Sequence, residues 1–163
     1  MVPRPFVRRP GLARLSSHPF GNRWIKVLAL SGLCAAYLQG SWNKATDFPS
    51  AIAEMQHFGL SPAVPLAMLT MAFELVASLM VITGFCRWAG ALGLAAFTLF
   101  ATFVANRYWE LLPPERFMAA NSFYEHFGLV GGFLFVAWQD LQDETAGTDV
   151  DRSRLGAPDR HQR

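Results

Sequence analysis

Apolar residues are concentrated in four blocks, separated by short segments that are polar or that break helices. A helix needs about 20 mainly apolar residues to cross a bilayer. The breakers are Ser61-Pro62, Gly84 and Pro113-Pro114. Four blocks reach or approach the required length: 24–40, 62–83, 88–106 and 121–138. The pattern predicts an all-α fold, a transmembrane four-helix bundle.

The segments outside these blocks suggest three regions. Residues 1–23 are basic, without hydrophobic periodicity, and are predicted to be a cytoplasmic tail. Residues 24–140 form the membrane domain, and residues 141–163 are predicted to be a polar, flexible cytoplasmic tail. The first block has a second interpretation, because a charged segment before an apolar one is also typical of a signal peptide. Cleavage would then fall near Ala35-Ala36.

The loop between the first two blocks carries its own periodic pattern. Phe48, Ile52, Met55 and Phe58 recur at helical spacing within residues 41–60. This spacing predicts a short amphipathic helix between spans 1 and 2. It lies either on the outer surface of the membrane or as a cap on the bundle.

Composition and charge strengthen the membrane interpretation. Hydrophobic residues make up 52% of the chain and charged residues 16%, against about 25% charged in a typical soluble domain. This composition excludes a disordered chain and a nucleic-acid arm. Eleven Lys and Arg residues fall on the side of the two termini and three on the other. The positive-inside rule therefore predicts that both termini are cytoplasmic.

One carboxylate falls deep within a predicted span. Glu74 lies twelve residues after Pro62, about 18 Å along the helix and near the middle of a core about 30 Å thick. Because a charge at that depth costs at least about 2.5 kcal/mol, Glu74 is the leading candidate for a proton donor. The alternative is a structural Glu that pairs helices. Glu125 and His126 are secondary candidates for the same chemistry.

Each predicted span carries a stripe of small or polar residues, which in membranes lets helices approach closely and hydrogen-bond. The polar members gather towards the end of the bundle that holds Lys44, and they predict a substrate pocket. Its expected lining residues are Gln39, Lys44, Thr70, Thr98, Thr102, Asn106 and Asn121.

Cysteine and histidine positions do not predict a metal site or a redox pair. Cys34 and Cys86 fall at different depths, and disulfide-bonded Cα atoms must lie within about 7 Å. The four histidines show no spacing typical of metal ligands. No metal or bound cofactor is therefore expected in this chain.

Several short motifs resemble those of DoxX proteins, a family of small four-span bacterial membrane proteins. They are Gly40-Ser41-Trp42-Asn43-Lys44, Phe73-Glu74-Leu75, Gly84-Phe85-Cys86-Arg87, and Asn121 with Gly128-Leu129-Val130-Gly131-Gly132. The resemblance extends over about residues 24–140. It implies a bacterial inner-membrane location and aligns Gly40, Lys44 and Glu74 with family positions.

The resemblance also implies a function, because some relatives are linked to thiosulfate:quinone oxidoreductase and others to membrane oxidoreductase complexes. The first hypothesis is therefore an oxidoreductase-associated subunit that binds quinone as substrate or ligand. The alternatives are a non-enzymatic scaffold or anchor subunit, and a small permease. Expected partners are the lipid bilayer, an oxidoreductase subunit and further copies of the chain, but no nucleic acid.

Overall fold

The computed structural model describes residues 19–155 of the chain, and the side chains of residues 23–145. Within this part the chain forms five α-helices and a single 3-10 turn, and no strand. The elements are α1 (Pro19–Thr46), α2 (Phe48–His57), α3 (Ala63–Thr83), α4 (Arg87–Ala105), the 3-10 turn (Tyr108–Glu110) and α5 (Glu115–Leu155). The prediction of an all-α fold is confirmed for these residues.

The helices follow the four apolar blocks, but only two of them are long and apolar enough to be candidate membrane spans. These two are Ala63–Thr83 and Arg87–Glu110. The helices α1 and α5 have 28 and 41 residues and are therefore long enough to cross a bilayer. They differ from α3 and α4 in carrying more charged and polar residues. The structure thus supports a membrane protein with at least part of the expected bundle.

The last helix extends well beyond the apolar block that predicted it. It begins at Glu115, directly after Pro113-Pro114, and continues past Trp138 to Leu155. The first part of the predicted C-terminal tail is therefore helical rather than irregular. Residues 156–163 and most of the predicted N-terminal tail lie outside the described residues.

The four long helices pack in chain order rather than as a closed ring. The helix α3 lies between α1 and α4, and α4 in turn packs against α5, whereas α1 and α5 contact each other over a short stretch. Buried apolar side chains from all four helices form the main core, including Cys34, Val81, Leu94 and Phe133. The sparse contact between α1 and α5 leaves space on this side of the bundle.

A helix cap and an ion pair to α5 hold the turn between α3 and α4. Gly84 ends α3 in a left-handed conformation with φ of 91°, and its N–H donates to the carbonyl of Met80. Arg87 forms an ion pair of 3.1 Å with Asp140 on α5, and Asp140 also accepts from the N–H of Trp88. Arg87, one of the eleven cations counted on the side of the termini, therefore also ties the start of α4 to α5.

The short helix α2 forms as predicted, and its apolar face packs on the bundle. Asp47 caps its start by accepting from the N–H of Ser50. Ala51 and Met55 of α2 are buried in a small core together with Ala67 of α3. Of the two placements left open by the sequence, the structure shows the cap. We refer to the end of the bundle that this helix covers as the α2 end.

The small-residue stripes meet the core on two helices and only in part on the other two. On α3 and α4 the stripe residues are buried, among them Ala77 and Ala95. On α1 and α5 the stripes are divided: a Cβ added at Gly40 or Gly132 would lie 3.1 Å from a neighbouring side chain, whereas one added at Gly32 or Gly128 would meet no other atom within 4 Å. The stripes of α1 and α5 therefore approach neighbouring side chains over only part of their length.

Candidate functional site

A nearly buried ion pair lies between α1 and α3 at the α2 end of the bundle. The Lys44 Nζ donates to both carboxylate oxygens of Glu74, at 3.4 Å to Oε1 and 3.3 Å to Oε2. The two side chains are only 12% and 8% exposed. Glu74 is held in place because α1 and α3 pack side by side, with Ser41 donating to the carbonyl of Met71 one turn earlier on α3. The carboxylate predicted from sequence therefore has a cationic partner.

Gly40 supplies the space in which this ion pair fits. A Cβ added at Gly40 would lie 3.1 Å from Glu74 Oε2 and 3.5 Å from Lys44 Nζ. The absence of a side chain thus lets the carboxylate approach the backbone of α1. This gives a physical reason for the glycine that precedes Lys44 by one helical turn.

A larger residue at Gly40 is expected to force the ion pair apart. We expect Gly40→Val to lower the free energy of unfolding by about 1–3 kcal/mol, since overpacking displaces side chains that are already well placed. The measurement is the thermal or denaturant unfolding midpoint in detergent. The matched control is Gly32→Val, two turns earlier on α1, where the added atoms meet open space. Equal losses in the two variants would contradict this account of Gly40.

An interhelical cavity of about 320 Å³ adjoins the ion pair. All five helices contribute to its wall, which is mainly apolar, with Phe97, Phe100 and Leu129 among its lining residues. The polar lining residues are few: Tyr37, Lys44, Glu54, Thr70, Glu74, Thr98, Asn106 and His126. An apolar pocket with a small number of convergent polar groups is the usual form of a small-molecule site. This space is called the interhelical cavity below.

Hydrogen bonds along α4 fix the polar wall opposite the ion pair. The hydroxyl of Thr98 donates to the carbonyl of Leu94, and it is also bonded to the hydroxyl of Tyr37 on α1. The hydroxyl of Thr102 donates to the carbonyl of Thr98 at 2.6 Å. Because Thr98 donates its one hydroxyl hydrogen to Leu94, it accepts the hydrogen bond from Tyr37.

Two side chains from the α4 side of the cavity position the ring of His126. Its Nδ1 lies 2.9 Å from the hydroxyl of Thr102. The Nδ2 of the Asn106 side-chain amide lies 3.1 Å from the same ring nitrogen. His126 is thus oriented by α4 while it lines the cavity.

A second, polar cavity of about 520 Å³ lies between α1 and α2, on the other side of the ion pair. Its lining residues include Asn43, Thr46, Asp47 and Ser50. Gly40, Lys44 and Glu54 line both cavities. Lys44 thus lies between a polar space and a mainly apolar one, whereas Glu74 lines only the apolar one.

The structure brings together part of the set of residues expected from the sequence. Lys44, Thr70, Glu74, Thr98, Asn106 and His126 all line the interhelical cavity, and Thr102 lies behind its wall, bonded to His126. Gln39, Asn121 and Glu125 are exposed and do not line it. They lie on the surface faces of α1 and α5.

Two polar cavity residues were not expected from the sequence. Tyr37 is buried and bonded to Thr98, and Glu54 projects from α2 beside Lys44. The position of Tyr37, three residues after Cys34 and seven before Lys44, would place it on the same helical face as both. Glu54 had no such signal, because the placement of α2 on the bundle was open.

A family model matches the part of the chain that contains the ion pair. Residues 28–107 match the family model of DoxX. No curated protein and no solved structure matches the chain. The matched segment contains the ion pair, Gly40 and the turn at Gly84, whereas Asn121 and the glycines of α5 lie beyond it. With this match and two helices apolar enough to cross a membrane, residues 28–107 are assigned to the DoxX family of membrane proteins.

Proposed function

We propose that this protein is a four-span inner-membrane subunit of an oxidoreductase, and that it binds a quinone in the interhelical cavity. The observation that carries the proposal is the Lys44–Glu74 ion pair in the wall of a mainly apolar cavity. Ionisable residues inside a membrane bundle are expensive, and their default interpretation is functional.

The four-span arrangement is supported by the length and surface of α1 and α5. The 28 residues of α1 extend about 42 Å, more than the hydrocarbon core of about 30 Å. Large apolar side chains on both helices are exposed, among them Ile25 and Leu28 on α1 and Phe135 on α5. Lipid is the solvent that suits such surfaces. The distribution of Lys and Arg supports a cytoplasmic location for both termini.

The chemistry of the cavity suits a quinone. A quinone head group is a flat apolar ring that accepts hydrogen bonds at two opposite carbonyl oxygens. Aromatic and aliphatic side chains such as Phe97 and Leu129 can contact the ring faces. The ammonium of Lys44 uses two of its three hydrogens on Glu74 and retains one for a carbonyl oxygen. The hydroxyl of Thr70 is a further donor in the wall.

Reduction of a quinone to a quinol adds two electrons and two protons, and the cavity wall contains groups that can exchange those protons. Glu74 and His126 are the two candidates. The electrons would come from the partner oxidoreductase subunit, because no redox-active group is proposed in this chain. Lys44 and Glu54 line both this cavity and the polar one. Glu74 would exchange protons with water through that polar cavity.

The proposal is tested by native mass spectrometry of the protein extracted in mild detergent. We expect a bound quinone-sized mass in the wild type and its loss in Glu74→Gln, which keeps the shape of the side chain but removes the charge that orients Lys44. Loss of about tenfold in occupancy corresponds to a charged hydrogen bond.

The matched control is Glu125→Gln, since Glu125 is exposed and does not line the cavity. Its quinone occupancy should equal that of the wild type. If the wild type retains no quinone and co-purifies with a second protein chain instead, the scaffold function replaces the one proposed here. Equal quinone occupancy in all three proteins would place the site elsewhere.

A further inference from the structure

A further cavity lies away from the proposed quinone site. It measures about 720 Å³ and opens between α1 and α5, at the end of the bundle opposite α2. The contact between Leu33 and Gly132 borders it on the side of the membrane centre. This space is called the α1–α5 cleft below. Neither the family match nor the proposed function assigns it a role.

The walls of the cleft change character along its length. Nearest the membrane centre they are apolar, formed by Leu30, Leu33 and Val136. Towards the end of the bundle they become polar, with Gln139 and Gln142 among the lining residues. The cleft therefore offers an apolar trough that ends in hydrogen-bonding groups. This is the polarity profile of a phospholipid, in which acyl chains continue into a polar headgroup.

Four charged side chains line the polar end. Arg87 and Asp140 are paired with each other at 3.1 Å and so neutralise one another. Lys26 and Asp143 also line the cleft, and the structure gives neither of them an ion-pair partner among the described residues. The ammonium of Lys26 and the carboxylate of Asp143 are thus available to bind a ligand.

Lys26 and Asp143 lie at different depths along their helices. Lys26 lies seven residues before Leu33, or about 10 Å from the contact with Gly132. Asp143 lies eleven residues after Gly132, or about 16 Å from the same contact. The anion is therefore about 6 Å, roughly one helical turn, further from the membrane centre than the cation.

We propose that the α1–α5 cleft is a binding site for a phospholipid with a primary-amine headgroup, of the phosphatidylethanolamine class. The phosphate lies next to the acyl chains and is bound by Lys26. The ammonium is two carbons further out and is bound by Asp143. An acyl chain fills the trough beside Leu30 and Val136, on the side of the bundle where α1 and α5 contact each other only over a short stretch. The lipid thereby completes the packing between the first and last helices.

The test uses nanodiscs containing equal amounts of phosphatidylethanolamine, phosphatidylglycerol and phosphatidylcholine. Lipids that remain bound after transfer to mild detergent are counted by native mass spectrometry. The wild type should be enriched in phosphatidylethanolamine over both other lipids. Lys26→Ala should lower total retained phospholipid about tenfold, as expected for loss of a charged hydrogen bond, and Lys26→Arg should restore it.

The second variant separates headgroup recognition from general lipid retention. Asp143→Asn should keep the phospholipid but lose the preference for phosphatidylethanolamine over phosphatidylcholine, because the carboxylate no longer binds the ammonium. The matched controls are Arg23→Ala and Glu144→Gln, which neighbour these positions but do not line the cleft. An unselective wild type, a preference for phosphatidylglycerol, or an unchanged Lys26→Ala would overturn the proposal. The assay does not involve quinone, so its result is independent of the function proposed above.

Discussion

Removing one member of the Lys44–Glu74 pair is expected to destabilise the protein more than removing both. Lys44→Ala leaves the Glu74 carboxylate in a site where it is only 8% exposed and has no other cation beside it among the bonds described. Breaking a buried pair in this way costs about 3–5 kcal/mol. The large effect comes from the stranded charge rather than from the attraction that is lost.

The double variant Lys44→Ala/Glu74→Ala removes both charges and with them the stranded group. Its unfolding free energy should therefore lie closer to that of the wild type than the sum of the two single losses predicts. The measurement is a double-mutant cycle from unfolding midpoints in detergent. Because interactions in the low-polarity interior are weakly screened, the coupling should change little with salt.

An exposed ion pair in the same chain supplies the control. Arg107 and Glu110 lie 3.4 Å apart, with side chains 47% and 53% exposed. Removing either should have little effect on stability, since exposed pairs contribute little. Additive losses at Lys44 and Glu74, of the same small size as at this exposed pair, would show that the carboxylate is not effectively buried.

A methyl group at Gly90 is expected to disrupt the packing of α3 against α4. A Cβ at this position would lie 2.9 Å from the carbonyl oxygen of Ala77 and 2.9 Å from the Cβ of Met80. Both atoms belong to, or are attached directly to, the backbone of α3, so no side-chain rotation relieves the contact. Gly90→Ala should therefore lower the free energy of unfolding by about 1–3 kcal/mol.

The comparison variant is Gly128→Ala on α5, where an added Cβ meets nothing within 4 Å. There the substitution should be neutral or stabilising by up to about 1 kcal/mol, because Ala favours the helix more than Gly does. Thermal unfolding in detergent gives both values. A neutral Gly90→Ala would mean that α3 and α4 lie further apart than the structure shows.

The sequence by itself determined the helices and the leading carboxylate. Apolar blocks of sufficient length predicted the ends of α3 and α4 to within a residue or two. An apolar segment in a membrane must satisfy its backbone N–H and C=O groups by hydrogen bonds within a helix. A single acidic residue in the middle of such a block singled out Glu74. Short motifs around Gly40 and Glu74 identified the DoxX family, which the match over residues 28–107 confirms.

Only the tertiary structure decided which polar residues face one another. Gln39 and Glu125 satisfied the same periodicity as the cavity residues but lie on exposed faces of α1 and α5. Arg87 pairs with Asp140, 53 positions away, and Lys44 with Glu74, 30 positions away. Periodicity defines a face on each helix but not the rotation of that helix about its axis. That rotation is set by contacts such as Gly90 against Ala77, which arise only when the helices pack together.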